Sequence, residues 1–140
     1  MSTHNEKLVR RLYEEILNGR EWQAMAEVVA ADHTLRDPSS PAANGPDGFV
    51  EHARMYVDAF EANWSIEDVV STDEAVVVHW VGTGTHVAAL QGIPATGRSF
   101  RIDGINMHAI RDGMIAWTFG VWDTYGLMTQ LGVIPSPANA

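Results

Sequence analysis

The sequence contains no cysteine, which excludes disulfides, thiolate nucleophiles and Cys-ligated metal sites. The absence also fits a reducing compartment. Basic residues are scarce: nine Lys and Arg stand against 18 Asp and Glu, a formal net charge of -9. Phosphate binding calls for a basic face, so no nucleic acid is expected as a partner, and an anionic membrane surface is equally disfavoured. No stretch approaches the roughly 18 consecutive apolar residues of a membrane span. Residues 1–7 lack the apolar centre of a signal peptide, and the expectation is a soluble, cytoplasmic protein. There is also no GxGxxG, no GxSxG and no glycine-rich phosphate loop. The Gly82-Thr83-Gly84 triplet lies inside a predicted strand and not at a helix N-terminus, where a phosphate cradle would form.

What is present suits one domain. A chain of 140 residues is long enough to bury a core without covalent cross-links, and an apolar share of 46% is ordinary for a globular protein. Thr3 followed by Glu6 has the form of a capping box, placing a helix start near His4. Leu8, Val9, Leu12, Tyr13, Ile16 and Leu17 then recur at helical spacing until Asn18-Gly19 stops them. A second helix is predicted over 21–30, with a short extended piece around Leu35 that Pro38 closes. Residues 38–46 form a loop, and a third helix follows over 49–62 with Phe49, Ala53, Tyr56, Val57 and Phe60 on its buried side.

After Asn63 the period changes from helical to alternating. Four strands are predicted, over 64–71, 75–86, 98–110 and 114–122. Asp112-Gly113 is a strong tight-turn signal between the last two. A short helix over 125–131 and a loose tail over 135–140 complete the chain. Helices first and antiparallel strands afterwards define a segregated α+β domain. The expected architecture is a cone: three N-terminal helices on one face of a curved, mostly antiparallel four-stranded sheet, with a pocket between the two layers.

Strand parity selects candidate side chains for that pocket. Ile115, Trp117, Phe119 and Val121 share a face with Asp123, which ends their strand. If that face meets the pocket, Asp123 is a carboxylate at the end of an apolar wall, where desolvation makes it a proton shuttle. Asp is also a favoured helix N-cap, and a helix starts immediately after it, so capping and catalysis both stand. On the preceding strand Phe100, Ile102, Gly104, Asn106 and His108 share a face, and the hairpin sets Asn106 and His108 near Asp123. A donor beside a carboxylate is what enolate chemistry needs. His86 shares its face with Trp80 and is preferred to His79 as a pocket residue. The aromatics Tyr13, Phe49, Trp80, Trp117 and Phe119 are further candidates for lining a cavity that holds a flat, apolar, oxygenated ligand. His33 and Asp37, four apart, have no Cys and no HExxH-like pair to support them, so no metal site is expected.

Several segments together resemble the SnoaL-like polyketide cyclase family of the nuclear-transport-factor-2-like superfamily. They are Gly84-Thr85-His86, Gly92-Ile93-Pro94-Ala95-Thr96-Gly97, Arg111-Asp112-Gly113-Met114-Ile115 and the run from Trp122-Asp123-Thr124-Tyr125-Gly126-Leu127 to Gly132. Gly45-Pro46-Asp47-Gly48-Phe49 fits as well. The resemblance implies a single α+β barrel domain over 1–134 that closes a polyketide ring by aldol condensation, without cofactor or metal. It implies Asp123 as general acid/base, Asn106 and His108 binding substrate carbonyls, and Tyr13 lining the pocket. It further implies a homodimer formed through the sheet. A hydroxylase or epoxide hydrolase on the same cone, and a non-catalytic small-molecule-binding module, are the alternative expectations.

Overall fold

In the computed structural model, which describes residues 3–135, the first helix α1 (Thr3–Arg10) runs straight into a π-helical segment, Arg11–Leu17. Its apolar stripe is fully buried: Val9, Leu12, Tyr13, Ile16 and Leu17 all belong to the core. Asn18 anchors the end of this helix by imitating a strand. Its amide donates to Trp64 O at 2.7 Å and accepts from Trp64 N at 2.8 Å.

The predicted second helix is shorter and tighter than expected, a 3-10 segment over Trp22–Glu27. Strand β1 (Val29–Arg36) begins where the helix was to continue. The cause is tertiary: Val28 and Val29 are fully buried, and β1 finds a partner strand from the far end of the chain that no local pattern reveals. A two-residue strand β2 (Ala43–Asn44) pairs with β1. Helix α2 (Gly45–Phe60) then starts with Pro46 in its first turn and ends at Glu61 in the left-handed conformation.

Strands β3 (Asn63–Ser71), β4 (Ala75–Thr85), β5 (Ser99–Arg111) and β6 (Met114–Trp122) follow, and α3 (Thr124–Gln130) closes the fold. The sheet has six strands and not four, in the order β2-β1-β6-β5-β4-β3. β1 runs parallel to β6; the other neighbouring pairs are antiparallel. The single α+β domain with helices on one face of a curved, open sheet otherwise matches the expectation. Asp112 and Gly113 both have positive φ (53° and 74°), the geometry that a two-residue Asp-Gly hairpin demands. Of the predicted loose tail, 136–140 lie outside the described residues. Among the described residues no helix is long and apolar enough to cross a membrane.

A β-bulge decides what the last strand presents. Ala109 pairs with Trp117 and Ile110 with Ile115, leaving Ala116 as an extra residue in β6. A bulge shifts the alternation by one. Ile115 is therefore buried in the core, whereas Trp117 and Val121 on the same nominal parity are exposed at 41% and 45%. The inward face of β6 beyond the bulge is Thr118, Gly120 and Trp122, the reverse of the face assigned to Asp123 from Ile115.

Candidate active site

Between the helices and the inner sheet face lies a cavity of about 100 Å³. Its walls are chiefly apolar and aromatic, with Phe49, Tyr56, Phe60, Trp64, Trp80 and Trp122 among them. Trp80 lies flat over Gly104, its partner across β4 and β5; a Cβ at Gly104 would run into the indole ring. Gly120 likewise makes room for the Asn106 amide, whose Oδ1 a Cβ there would meet. Polar groups reach this apolar space in two clusters.

The first cluster is built on Asp37, immediately beyond β1, where His33, Leu35 and Asp37 continue one buried parity. Asp37 is only 5% exposed. Its Oδ2 accepts from Tyr56 Oη at 3.0 Å, Trp122 Nε1 at 3.2 Å and Ser40 Oγ at 3.3 Å, and its Oδ1 accepts from Ser39 N at 2.8 Å. His52 Nε2 stands 3.4 Å from Oδ2 and 3.0 Å from Ser40 Oγ. Burial pushes the Asp37 carboxyl up, but His52 and the donors from Ser39, Trp122 and Tyr56 outweigh it and hold the pKa down to about 2. The result is a carboxylate kept ionised inside an apolar cavity. Tyr56 is pushed the other way, above the usual phenol range, first by burial and then by the Asp37 charge, so it remains a donor. His52 and Tyr56 lie four apart on α2, which sets both rings on the face turned toward β1.

The second cluster centres on Tyr13 from the π-helical segment. Asn106 Nδ2 donates to Tyr13 Oη at 2.7 Å, and His108 Nε2 lies 2.8 Å from the same oxygen. Behind it, His108 Nδ1 is 2.8 Å from Thr118 Oγ1, and Thr118 Oγ1 is 2.9 Å from His33 Nε2. Burial lowers the pKa of His108 to about 3 and that of His33 to about 4, so both rings are neutral near pH 7. Burial raises Tyr13 above the ordinary phenol range, against the opposing hydrogen bond from Asn106.

The predicted site residues divide accordingly. Tyr13, Phe49, Trp80 and Asn106 line the cavity. His108 stands one layer behind, reaching the cavity through Tyr13. His86 is buried elsewhere, its Nδ1 accepting from Thr96 N at 3.2 Å and its ring 5.3 Å from that of Phe60. Trp117 and Phe119 are on the outer sheet face because of the Ala116 bulge; Arg36 lies over the Phe119 ring at 4.8 Å. Asp123 is also outside. It is exposed, and its Oδ1 accepts from Gly126 N at 2.8 Å as the N-cap of α3. Of the two expectations for Asp123, the cap is what its contacts form. His79 sits on the outer face between Asp68 and Asp103, at 2.9 and 2.7 Å. Among the described residues no group of three or more His, Asp or Glu side chains converges as metal ligands. Asp37, His52, Tyr56, Trp122 and Thr118 are among the cavity residues that were not expected at the site from the sequence. The available signal is an acid continuing the buried parity of a strand, and helical spacing up to residue 30 masks it.

The fold agrees with the comparisons. The family model for SnoaL-like polyketide cyclase matches residues 7–131, and the chain belongs to that family. A SnoaL-like protein from Jannaschia sp. CCS1 superimposes with a TM-score of 0.86 at 20% identity, covering 95% of this chain and 94% of its own. TsrD from Streptomyces laurentii gives 0.84 at 22% identity, over 96% and 99%. IdmH from Streptomyces antibioticus gives 0.80 at 26% identity, over 91% and 98%. No curated protein sequence matches the chain.

Proposed function

We propose that the cavity carries out cofactor-independent general acid/base chemistry of the aldol type on an apolar, oxygenated small molecule, as a cyclase. The observation that carries this reading is the separation of two polar clusters in one apolar cavity: an ionised carboxylate with a histidine at one place, a pair of donors at another. Asp37 itself is too well solvated by hydrogen bonds to be a strong base. His52 is better suited, since Nε2 faces Asp37 and Ser40 and leaves Nδ1 to take a proton, while Asp37 stabilises the imidazolium that results.

His52 Nδ1 removes a proton from the carbon next to a carbonyl. The enolate oxygen is held by the Tyr13 hydroxyl and by the second amide N–H of Asn106, donors that gain strength in a low-dielectric cavity. The enolate carbon attacks a second carbonyl of the same molecule, one carbon–carbon bond forms, and the new alkoxide takes the proton back from His52. The aromatic walls keep water away and hold the two reacting carbons together. In this reading Asp123 caps a helix, and the proton-transfer role expected of it passes to His52 and Asp37.

The test is deuterium wash-in at the α-carbon of an aryl ketone such as 1-tetralone, followed by NMR in D2O. Acceleration over buffer that is lost in His52→Gln supports the reading. No acceleration with any of a series of aryl ketones and 1,3-diketones, or full acceleration in His52→Gln, sinks it.

The outer face of the sheet supports self-association as a homodimer. Across β3, β5 and β6 it displays Val70, Ile105, Met107, Trp117 and Val121, all exposed. Neighbouring exposed apolar side chains on one face are the mark of an interaction surface, and two copies of the sheet would cover each other.

A further inference from the structure

Asn106, Tyr13, His108, Thr118 and His33 form an unbranched chain of hydrogen bonds that starts at the cavity wall and ends inside the protein. Its last atom, His33 Nδ1, is buried and has no hydrogen-bond partner. That unmet atom sets the proton of His33 on Nε2 and limits the directions open to the rest of the chain.

Three arrangements satisfy the observed distances with both histidines neutral, and each leaves one spare donor. In one, Tyr13 donates to His108 Nε2, His108 Nδ1–H donates to Thr118, and Thr118 donates to His33 Nε2. His33 then carries its proton on Nδ1, a buried N–H with no acceptor, and the Tyr13 proton is used up internally. In the second, His33 Nε2–H donates to Thr118, Thr118 donates to His108 Nδ1, and His108 Nε2–H donates to Tyr13. His33 Nδ1 is then a bare lone pair, and the spare donor is the hydroxyl of Tyr13, which lines the cavity. In the third, His33 Nε2–H and His108 Nδ1–H both donate to Thr118 and Tyr13 donates to His108 Nε2, so the spare donor is the Thr118 hydroxyl. Orphaned buried N–H groups are rare because they forfeit a hydrogen bond that water would supply. The first arrangement is thereby excluded. Of the other two, the second places the spare donor on the phenol that faces the cavity, where a bound oxygen meets it, and not on a hydroxyl held between two imidazoles; it is the resting one.

Its consequence lies at the cavity end. Tyr13 Oη accepts from Asn106 Nδ2 and from His108 Nε2, which leaves its own proton for an acceptor in the cavity. We infer that His33, Thr118 and His108 are positioning residues that turn the Tyr13 hydroxyl into a dedicated donor toward a bound oxygen. The inference rests on the proposed function in one respect, that the cavity holds an oxygen at Tyr13. The chain has no exit to solvent at His33, so it holds protons in place and does not conduct them.

Imidazole 15N NMR of the whole protein near pH 7 reads the arrangement directly. The expected result is a proton on Nε2 and a bare Nδ1 in both His33 and His108; a proton on His108 Nδ1 overturns the inference. A second measurement uses 4-nitrophenolate as an oxyanion probe and naphthalene as an apolar probe of the same cavity. Thr118→Val breaks the chain and frees His108 to accept from Tyr13, so 4-nitrophenolate binding should weaken roughly 10-fold, the worth of about one hydrogen bond. Naphthalene binding should not weaken, because Thr118→Val only adds apolar surface to the cavity wall, and Thr118→Ser should restore the oxyanion affinity. Equal 4-nitrophenolate affinity in the wild type and Thr118→Val overturns the inference, as does a Ser variant as weak as the Val variant. A wild-type protein that takes up no 4-nitrophenolate counts against the proposed function of the cavity, and the imidazole signals still decide the chain.

Discussion

Trp122 and Asp123 are adjacent in sequence and point to opposite sides of the sheet. The Trp122 indole donates to Asp37 in the cavity, while the Asp123 carboxylate, outside, receives the Gly126 amide at the start of α3. Asp123→Ala should accordingly lower unfolding stability by about 1 kcal/mol, the usual worth of an N-cap. Turnover or α-proton exchange measured well below the melting temperature should stay within a factor of two or so of the wild type. A loss of activity of 100-fold or more with stability intact would return Asp123 to the chemistry.

Asp37→Asn keeps the shape of the side chain but removes the charge that faces His52. The imidazolium formed on proton transfer then loses its partner. Exchange or turnover should fall by roughly 100-fold, within the usual range for general acid–base groups, with ligand affinity much less affected. Separate kcat and KM values distinguish this from simple loss of binding.

Acid should destabilise the protein in two stages. His33 and His108 have folded-state pKa values depressed to about 4 and about 3, so the unfolded chain binds protons before the folded one does. Stability then falls as pH drops below the ordinary histidine range of about 6.5, at roughly 1.4 kcal/mol per pH unit per histidine while only the unfolded form is protonated. Asp37, depressed to about 2, contributes stability that is present above its unfolded value and is lost as pH falls from about 4 toward 2. His79 acts in the opposite sense, because its pKa is raised by Asp68 and Asp103, but it is at the surface and well screened. Urea midpoints at pH 7, 5.5 and 4.5 should decline steadily; a flat profile would contradict the neutral buried pair.

Gly104→Ala forces a methyl group against the flat Trp80 ring. A fixed ring beneath a sheet has little room to yield, so the cost should be about 1–3 kcal/mol, typical of overpacking. Guanidinium unfolding checks it, and a shift in Trp fluorescence should accompany the change.

Trp117→Arg places a charge at one end of the exposed apolar patch on the outer face. If two copies meet there, the variant should run as a monomer in analytical ultracentrifugation at concentrations where the wild type is a dimer. The cavity lies on the other side of the sheet, so its ligand affinity should be retained. A wild type that is monomeric at every concentration would remove the interface.

Local chemistry was legible wherever it was decided locally. The Asp-Gly hairpin, the apolar stripe of the first helix and the inward parity of Asn106 and His108 all follow from spacing and turn chemistry. Four of the strands could be read the same way. β1 could not, because its pairing with β6 joins residues 83 positions apart, such as Thr34 with Trp117, and leaves only a weak alternation. With β1 went Asp37, and with Asp37 went the significance of His52 and Tyr56. The bulges in β6 and β3 were hidden for a related reason. In β3, Ile66 pairs with Trp80 and Asp68 with His79, so an extra residue there shifts the parity just as Ala116 does in β6. An extra residue leaves no trace in composition; it exists only in relation to the partner strand.

That extra alanine has a bearing on how motifs travel between relatives. A Trp-Asp pair at the end of a strand fixes a position along the chain, while the count of residues back to the last bulge fixes the side of the sheet. Two relatives with identical letters there would carry the acid on opposite sides if only one of them holds the insertion. In this chain the indole is the half of the pair that serves the cavity, and the carboxylate serves the helix.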